Sequence, residues 1–340
     1  MIYQYTLRFS TPTHFGLEGI GQELIEKQVR SDTLWGAIIQ KWLLLYQEDP
    51  DTLCQQSPFQ VSSCFPIFNG TRYYPLPIGT LDGLIAEAAA SEDAKPSVKE
   101  LKKIRFIAAP LFERIVSGGM LRLEDLIKPA MVFPFIETSG QQANNAGFSI
   151  CQRPRLQIDQ LKGGGIEGAF FYCSDQFFAD ESGLFFLASF ADDTTRQKFE
   201  ASLRLLGDSG LGADRSIGRG MFTFNVEESD LPKTQDPHTW LLLSLFHPRR
   251  DEVERGILEH RHTAYSLTKR SGRAASHLTG RFRRHDLWMI EEGAVFGENP
   301  EGDICKVLEC SSENNIPIPH NVYRNGRAFC LPMVRQLGKE

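Results

Sequence analysis

The first ten residues set a period of two: Tyr3, Tyr5, Leu7 and Phe9 alternate with Gln4, Thr6, Arg8 and Ser10. Successive side chains of a strand point to opposite faces, so this pattern predicts a strand half buried against a core. The period then lengthens. After Arg30-Ser31-Asp32, the apolar residues Leu34, Trp35, Ile38, Trp42 and Leu45 form a broad helical face. Ser31 or Asp32 is suited to cap that helix. Residues 61–78 read as short strands broken by proline. Residues 84–106 read as a helical tract with a solvated lysine face at Lys95, Lys99, Lys102 and Lys103.

Thr138 through Phe148 is polar, Arg153 to Asp159 returns to strand texture, and Gly163-Gly164-Gly165 follows. A polar excursion between strand-like arms predicts a protruding hairpin or a mobile loop around 138–158. Phe170-Phe171-Tyr172 and Phe185–Ala188 resume strands. A helix opened by Asp192 or Asp193 carries Phe199, Leu203 and Leu206 on one face and is expected to end at Gly207. Asp230-Leu231-Pro232-Lys233 marks a boundary between two parts, 1–231 and 232–340, the second opening with Trp240 to Phe246. Near its end, Arg324-Asn325-Gly326-Arg327 suits a type I′ turn.

The most informative stretch is 207–222, where Gly207, Gly210, Gly212, Gly218 and Gly220 surround Arg215, Ser216 and Arg219. Glycines let a phosphate approach backbone N–H groups, and arginines add bidentate donors. The segment lacks the lysine of a P-loop and the third glycine of a dinucleotide fingerprint, and it runs from helix to strand rather than the reverse. It reads as a loop able to track a nucleic-acid backbone, against the plainer reading of a flexible connection.

Composition narrows the partners. A net charge of −6 over 340 residues excludes a protein that coats nucleic acid indiscriminately, so any such site is a local patch. One candidate patch is Arg261 to His285, which holds Arg261, Lys269, Arg270, Arg273, Arg281, Arg283 and Arg284 and no acid. It lines either an RNA path or a surface that docks on an acidic partner. The seven cysteines form no C-x-x-C pair, which suits reduced thiols, and no signal-peptide or membrane-span pattern appears. The expectation is a soluble cytoplasmic protein without metal or other cofactor. No nucleophile elbow or H-E-x-x-H motif occurs. Asp82, Asp159 and Asp214 read as caps, turns or ion-pair partners. His14, beside Phe15-Gly16, is either a general base or a structural contact.

Several segments together resemble a known family. They are His14-Phe15-Gly16, Ser31 to Ala37 (Ser-Asp-Thr-Leu-Trp-Gly-Ala), Ser62 to Pro66, Tyr73 to Pro77, Arg153 to Asp159, Gly210 to Phe222, and Met289 to Phe296. The chain resembles the RAMP-superfamily subunit that caps the crRNA 5′ end in type III-A (Csm) CRISPR effector complexes. The resemblance implies an α+β fold of two ferredoxin-like (RRM-like) domains with a β-hairpin thumb. It implies a non-catalytic scaffold that recognises the crRNA 5′ handle, beside a large polymerase-like subunit and a repeating backbone RAMP subunit. Two departures stand out: Gln160 where the family often has Arg, and Gly212-Ala213 where a Gly-Gly pair is more usual. No RNA contact is assigned to position 160.

Residues and resemblance together nominate His14, Phe15, Arg30, Ser31, Arg153, Arg155, Gly210, Gly212, Arg215, Ser216, Gly218, Arg219 and Gly220 as RNA-binding. Arg281, Arg283 and Arg284 are nominated for RNA or partner contact. A sheet with the glycine-rich loop would hold single-stranded RNA by phosphates and splayed bases, with the hairpin pressed between nucleotides. Two alternatives stay open: a metal-independent crRNA-processing endoribonuclease using His14, and the equivalent subunit of another type III complex.

Overall fold

The structure is a computed structural model. It describes residues 1–16, 26, 28–90, 96–134, 147–159, 161, 163–232, 234, 237–274, 282–310 and 320–334. The first part begins β1 (Ile2–Phe9), α1 (Ser31–Tyr46), α2 (Pro50–Gln56), β2 (Phe59–Val61), β3 (Phe65–Phe68) and β4 (Thr71–Pro75). It continues with α3 (Asp82–Ala89), α4 (Val98–Leu101), β5 (Phe106–Ala108), α5 (Ala109–Val116), α6 (Leu123–Leu126) and β6 (Val132–Phe133). The hairpin strands β7 (Phe148–Asp159) and β8 (Gly164–Phe178) follow, then β9 (Gly183–Phe190), α7 (Asp193–Ser209) and β10 (Phe222–Glu228). The chain is a mixed α/β protein.

The main sheet runs β10-β1-β9-β3-β4-β5-β6, with β2 also on β9. The period-two expectation for β1 holds: Tyr5 and Leu7 are fully buried between antiparallel β9 and β10. They pack with Phe186 and Ala188 against Leu34, Trp35, Ile38 and Trp42 of α1 and Phe199, Leu203 and Leu206 of α7. Leu45, expected on that apolar face, is instead 44% exposed. The alternate residues of β9, Phe185 and Leu187, face the other way into a second core with Phe112, Leu241, Val295 and Leu331. Both faces of β9 are therefore covered. This corrects the expectation of an open sheet for RNA and leaves loops and edges as the accessible surface.

Two helix boundaries differ from expectation. Asp192 caps α7 by accepting from the Thr195 N–H at 2.7 Å, but the helix runs past Gly207 to Ser209. At Gly207 the Phe222 carbonyl comes so close that a Cβ would lie 2.4 Å from it; here glycine serves strand packing, not termination. At α1, neither Ser31 nor Asp32 caps the helix. Arg30 is the N-cap, without a side-chain bond, because the Ser31 hydroxyl accepts from the Leu245 N–H at 2.8 Å.

That bond belongs to a seam with the second part. There β11 (Thr239–Leu242), α8 (Arg250–Glu254), β12 (Leu267–Arg270), β13 (Leu287–Ile290) and β14 (Val295–Phe296) precede β15 (Gly302–Leu308), β16 (Val322–Arg327) and β17 (Cys330–Met333). They form a three-stranded sheet, β14-β11-β17, and ribbons β12-β13 and β15-β16. Asp32 sits at the seam's centre. Its carboxylate accepts from Arg270 Nε and a second Arg270 nitrogen at 3.1 Å each, and from Arg324. Burial raises the carboxyl's pKa, but the two guanidinium groups outweigh it and hold the value at about 2. Arg324-Asn325-Gly326-Arg327 is consequently not a turn. It lies inside β16, drawn in by the Asp32 pair, with Arg324 and Asn325 buried. Beside Asp32, Arg30 pairs with Glu291 and Glu292, and the Ser63 hydroxyl also donates to Glu292.

Candidate nucleic-acid interface

The glycine-rich loop folds back on itself. The Leu211 N–H donates to the Gly220 carbonyl at 2.9 Å, and Gly220 N–H to Pro12 at 2.9 Å. Ala213 N–H donates to the His14 carbonyl, also at 2.9 Å. The interior is tight: a Cβ at Gly210 or Gly220 would lie 2.1 Å from a carbonyl oxygen, and one at Gly212 would lie 2.7 Å from the His14 carbonyl. Gly218 is different. It too has positive φ, +78°, but a Cβ there would meet nothing within 4 Å. Gly210, Gly212 and Gly220 close the loop, and Gly218 leaves room beside it.

The hairpin β7-β8 stands against this loop. Alternation and register put Arg153, Arg155, Cys173 and Asp175 on one face and Pro154, Leu156, Phe170 and Tyr172 on the other. The hairpin therefore lies at 148–178, later than the expected 138–158. Its arms flank 160–163, while residues 138–146 of the polar excursion lie outside the described residues, as does Gln160. Its second face presents Leu156, Phe170 and Tyr172 at 53%, 56% and 42% exposure, with the two rings edge to face at 5.2 Å.

The first face is electrostatically tied to the loop. Arg153 and Arg219 share the buried Asp175 carboxylate, the latter at 3.0 Å, and Arg155 pairs with Asp214 at 2.6 Å. The other Asp175 oxygen, Oδ1, is buried without a hydrogen-bond partner among the described residues. Arg215 has no carboxylate partner among the described residues. Its charge is felt on α1, where burial and then Arg215 push the Lys41 ammonium below its usual range. Ser216 and Ile217 beside it are exposed. The loop–hairpin junction therefore carries an unneutralised guanidinium next to open backbone, a geometry suited to an anion.

The remaining nominated residues fall elsewhere. His14 is buried, its Nδ1 2.6 Å from the Ser174 carbonyl and 3.6 Å from Cys173 Sγ, and Phe15 packs in the first core against Phe9. Burial pushes the Cys173 thiol up. His14 thus pins hairpin to loop, the structural alternative of the two weighed. Arg30 and Ser31 are committed to the seam, away from the loop. Arg281 lies outside the described residues. Much of the basic segment is neutralised from just outside it: Lys269 and Arg283 pair with Asp286, and Arg270 with Asp32. Sequence reasoning passed over Asp175 because a lone acid in an apolar-polar strand carries no motif. The charge balance of three arginines in a small region could have pointed to it.

The fold is one found in subunits of CRISPR interference complexes. Residues 235–333 match the family described as the CRISPR Csm4 C-terminal domain. The protein called CRISPR system Cms protein Csm4 from Thermococcus onnurineus is 23% identical over 308 residues, covering 89% of this chain and 90% of that one. The protein of the same name from Methanocaldococcus jannaschii is 22% identical over 373 residues, covering 96% and 95%. A crystal structure of a Csm1-Csm4 cassette in complex with pppApA aligns with TM-score 0.60 at 17% identity, covering 99% of both chains. One of a Csm3-Csm4 subcomplex in the type III-A interference complex aligns with TM-score 0.58 at 16%, covering 98% and 100%. The chain is a Csm4 homologue along its length, and residues 235–333 belong to the Csm4 C-terminal domain family.

Proposed function

We propose that this protein is the subunit of a type III-A CRISPR interference complex that holds the crRNA 5′ handle, bridging the large polymerase-like subunit to the repeating backbone subunit. The relatives named for Csm1-Csm4 and Csm3-Csm4 assemblies support the bridging role. The observation that carries the RNA reading is the junction of Arg215 and the open Gly218 backbone with the hairpin. Arg215 and the loop amides take phosphates, and Leu156, Phe170 and Tyr172 press against splayed bases. The role is that of a scaffold in the cytoplasm: His14, buried and held by a backbone carbonyl, is poorly placed to take a proton from a ribose.

We read residues 1–231 as a ferredoxin-like domain with insertions, supported by the order β10-β1-β9-β2 with α1 and α7 on one face. Residues 232–340 form the second unit. Among its described residues stands one five-residue helix, α8, where a full ferredoxin-like repeat needs two. The test is co-expression with the neighbouring subunits and sequencing of the RNA that purifies with them. Handle-bearing 5′ ends should be retained by wild type and lost with Arg215→Glu. Complexes that assemble and keep their RNA equally well with that variant refute the assignment, and cleavage of repeat RNA in EDTA by the isolated chain refutes the scaffold role.

A further inference from the structure

At the junction of loop and hairpin, two carboxylates hold three arginines, and the two are unequally placed. Asp175 is 1% exposed, and releasing Arg219 or Arg153 from it would strand a buried charge. The Arg155–Asp214 pair is accessible instead, at 27% and 24% side-chain exposure. Both of its charges can be rehydrated or handed to another partner at small cost, as exposed pairs generally can. The pair also lies beside the unneutralised Arg215 and the open side of Gly218, where the handle-binding reading brings a phosphodiester chain.

We infer that Arg155 is a phosphate-binding residue held in reserve and that Asp214 is the internal carboxylate a phosphate displaces from it. The inference rests on the handle-binding reading. In the RNA-free subunit the Asp214 carboxylate stands in for a phosphate oxygen and holds the hairpin arm on the loop. When RNA enters, the guanidinium exchanges one anion for another and Asp214 turns to solvent. Every RNA that uses Arg155 thus gives up the internal pair, which lowers the subunit's affinity for it.

The geometry offers a clean variant. Asp214 adopts left-handed backbone, φ +60°, a conformation asparagine tolerates as well as aspartate does. Asp214→Asn therefore removes the charge without straining the loop. Affinity of the full-length chain for a single-stranded RNA carrying the host repeat's 5′-handle sequence is measured from low to moderate salt. Asp214→Asn should bind about two- to fivefold more tightly, the worth of an exposed pair, with its salt slope little changed. Arg155→Ala should flatten the slope of log affinity against log salt by about 0.7, one single-strand phosphate contact. In the double variant the gain should vanish.

Weaker binding by Asp214→Asn, a gain that survives without Arg155, or a slope that Arg155→Ala leaves unchanged overturns the inference. The Arg155→Ala arm keeps the test decisive should Asp214→Asn not fold, which thermal melts will reveal. If wild type binds and Arg215→Ala weakens it while Arg155→Ala leaves the slope alone, this inference alone falls. If wild type does not bind the handle, the parent reading falls and takes this inference with it.

Discussion

The seam and the loop–hairpin junction are built from the same parts, arginines facing aspartates, and differ chiefly in access to water. At the seam, Asp32 holds Arg270 and Arg324 with all three side chains at or below 9% exposure. At the junction, Arg155 and Asp214 keep about a quarter of their surface in solvent. A buried pair is hard to break because either partner left alone is a stranded charge, whereas an exposed one trades partners readily. The same chemistry therefore fastens two halves of the molecule in one place and leaves a site for exchange in the other.

The sharpest way to break this contrast is to neutralise the seam. Asp32→Asn leaves two buried guanidinium groups without their counter-charge and should cost about 3–5 kcal/mol in unfolding of the full chain. If its denaturation midpoint matches that of Asp214→Asn, burial is not what separates the regions. Next in size are the glycines. Gly220→Val adds left-handed strain and an overlap with the Leu211 carbonyl, together about 3 kcal/mol. Gly218→Val adds strain alone, about 1–2 kcal/mol, so it should leave a folded chain whose RNA binding is impaired. Melting curves paired with RNA binding separate them; equal melting of the two variants would count against a closed loop with one open side.

Acid probes the seam more gently. Asp32 has a folded pKa near 2, below the unfolded value of about 4. Its contribution is therefore complete above that unfolded value and is lost as pH falls from about 4 towards 2. The loss is on the order of 2 kcal/mol, and it should be absent from Asp32→Asn. The smallest effect on stability belongs to Arg215→Glu, within about 0.5 kcal/mol because the side chain has no ion-pair partner to lose. Its expected effect falls on RNA, as weaker binding with a flatter salt slope, and a slope identical to wild type would remove Arg215 from the phosphate path.

Much of this architecture was readable from residue pattern, because β1, α1 and α7 bury faces whose period is written in their own residues. What was not readable is where distant residues meet. Asn325-Gly326 has the local chemistry of a turn, yet lies in β16 because Asp32, some 290 residues earlier, draws Arg324 inward. The motifs that carry the family resemblance behave alike. Ser31-Asp32, Ser63 and Glu291-Glu292 look like surface chemistry in sequence and converge at the seam. The loop was legible as an anion site from its composition. Which of its glycines close it, and which arginines are neutralised, depends on a hairpin whose register no local pattern specifies.

The strand order has a consequence for how the chain is made. The central strand β1 leaves the ribosome first, yet its two neighbours are β9 and β10, beginning at Gly183 and Phe222. At about 5–20 residues per second, synthesis runs on for roughly 10–45 s before both edges of β1 can be paired. During that interval an apolar strand rich in tyrosine and phenylalanine waits with open hydrogen-bonding edges, a template for mispairing with other nascent chains. Asp32 waits longer still, until Arg324 emerges. The protein is thus most vulnerable before it is complete, and its yield should depend on chaperone capacity and translation speed more than its finished stability suggests.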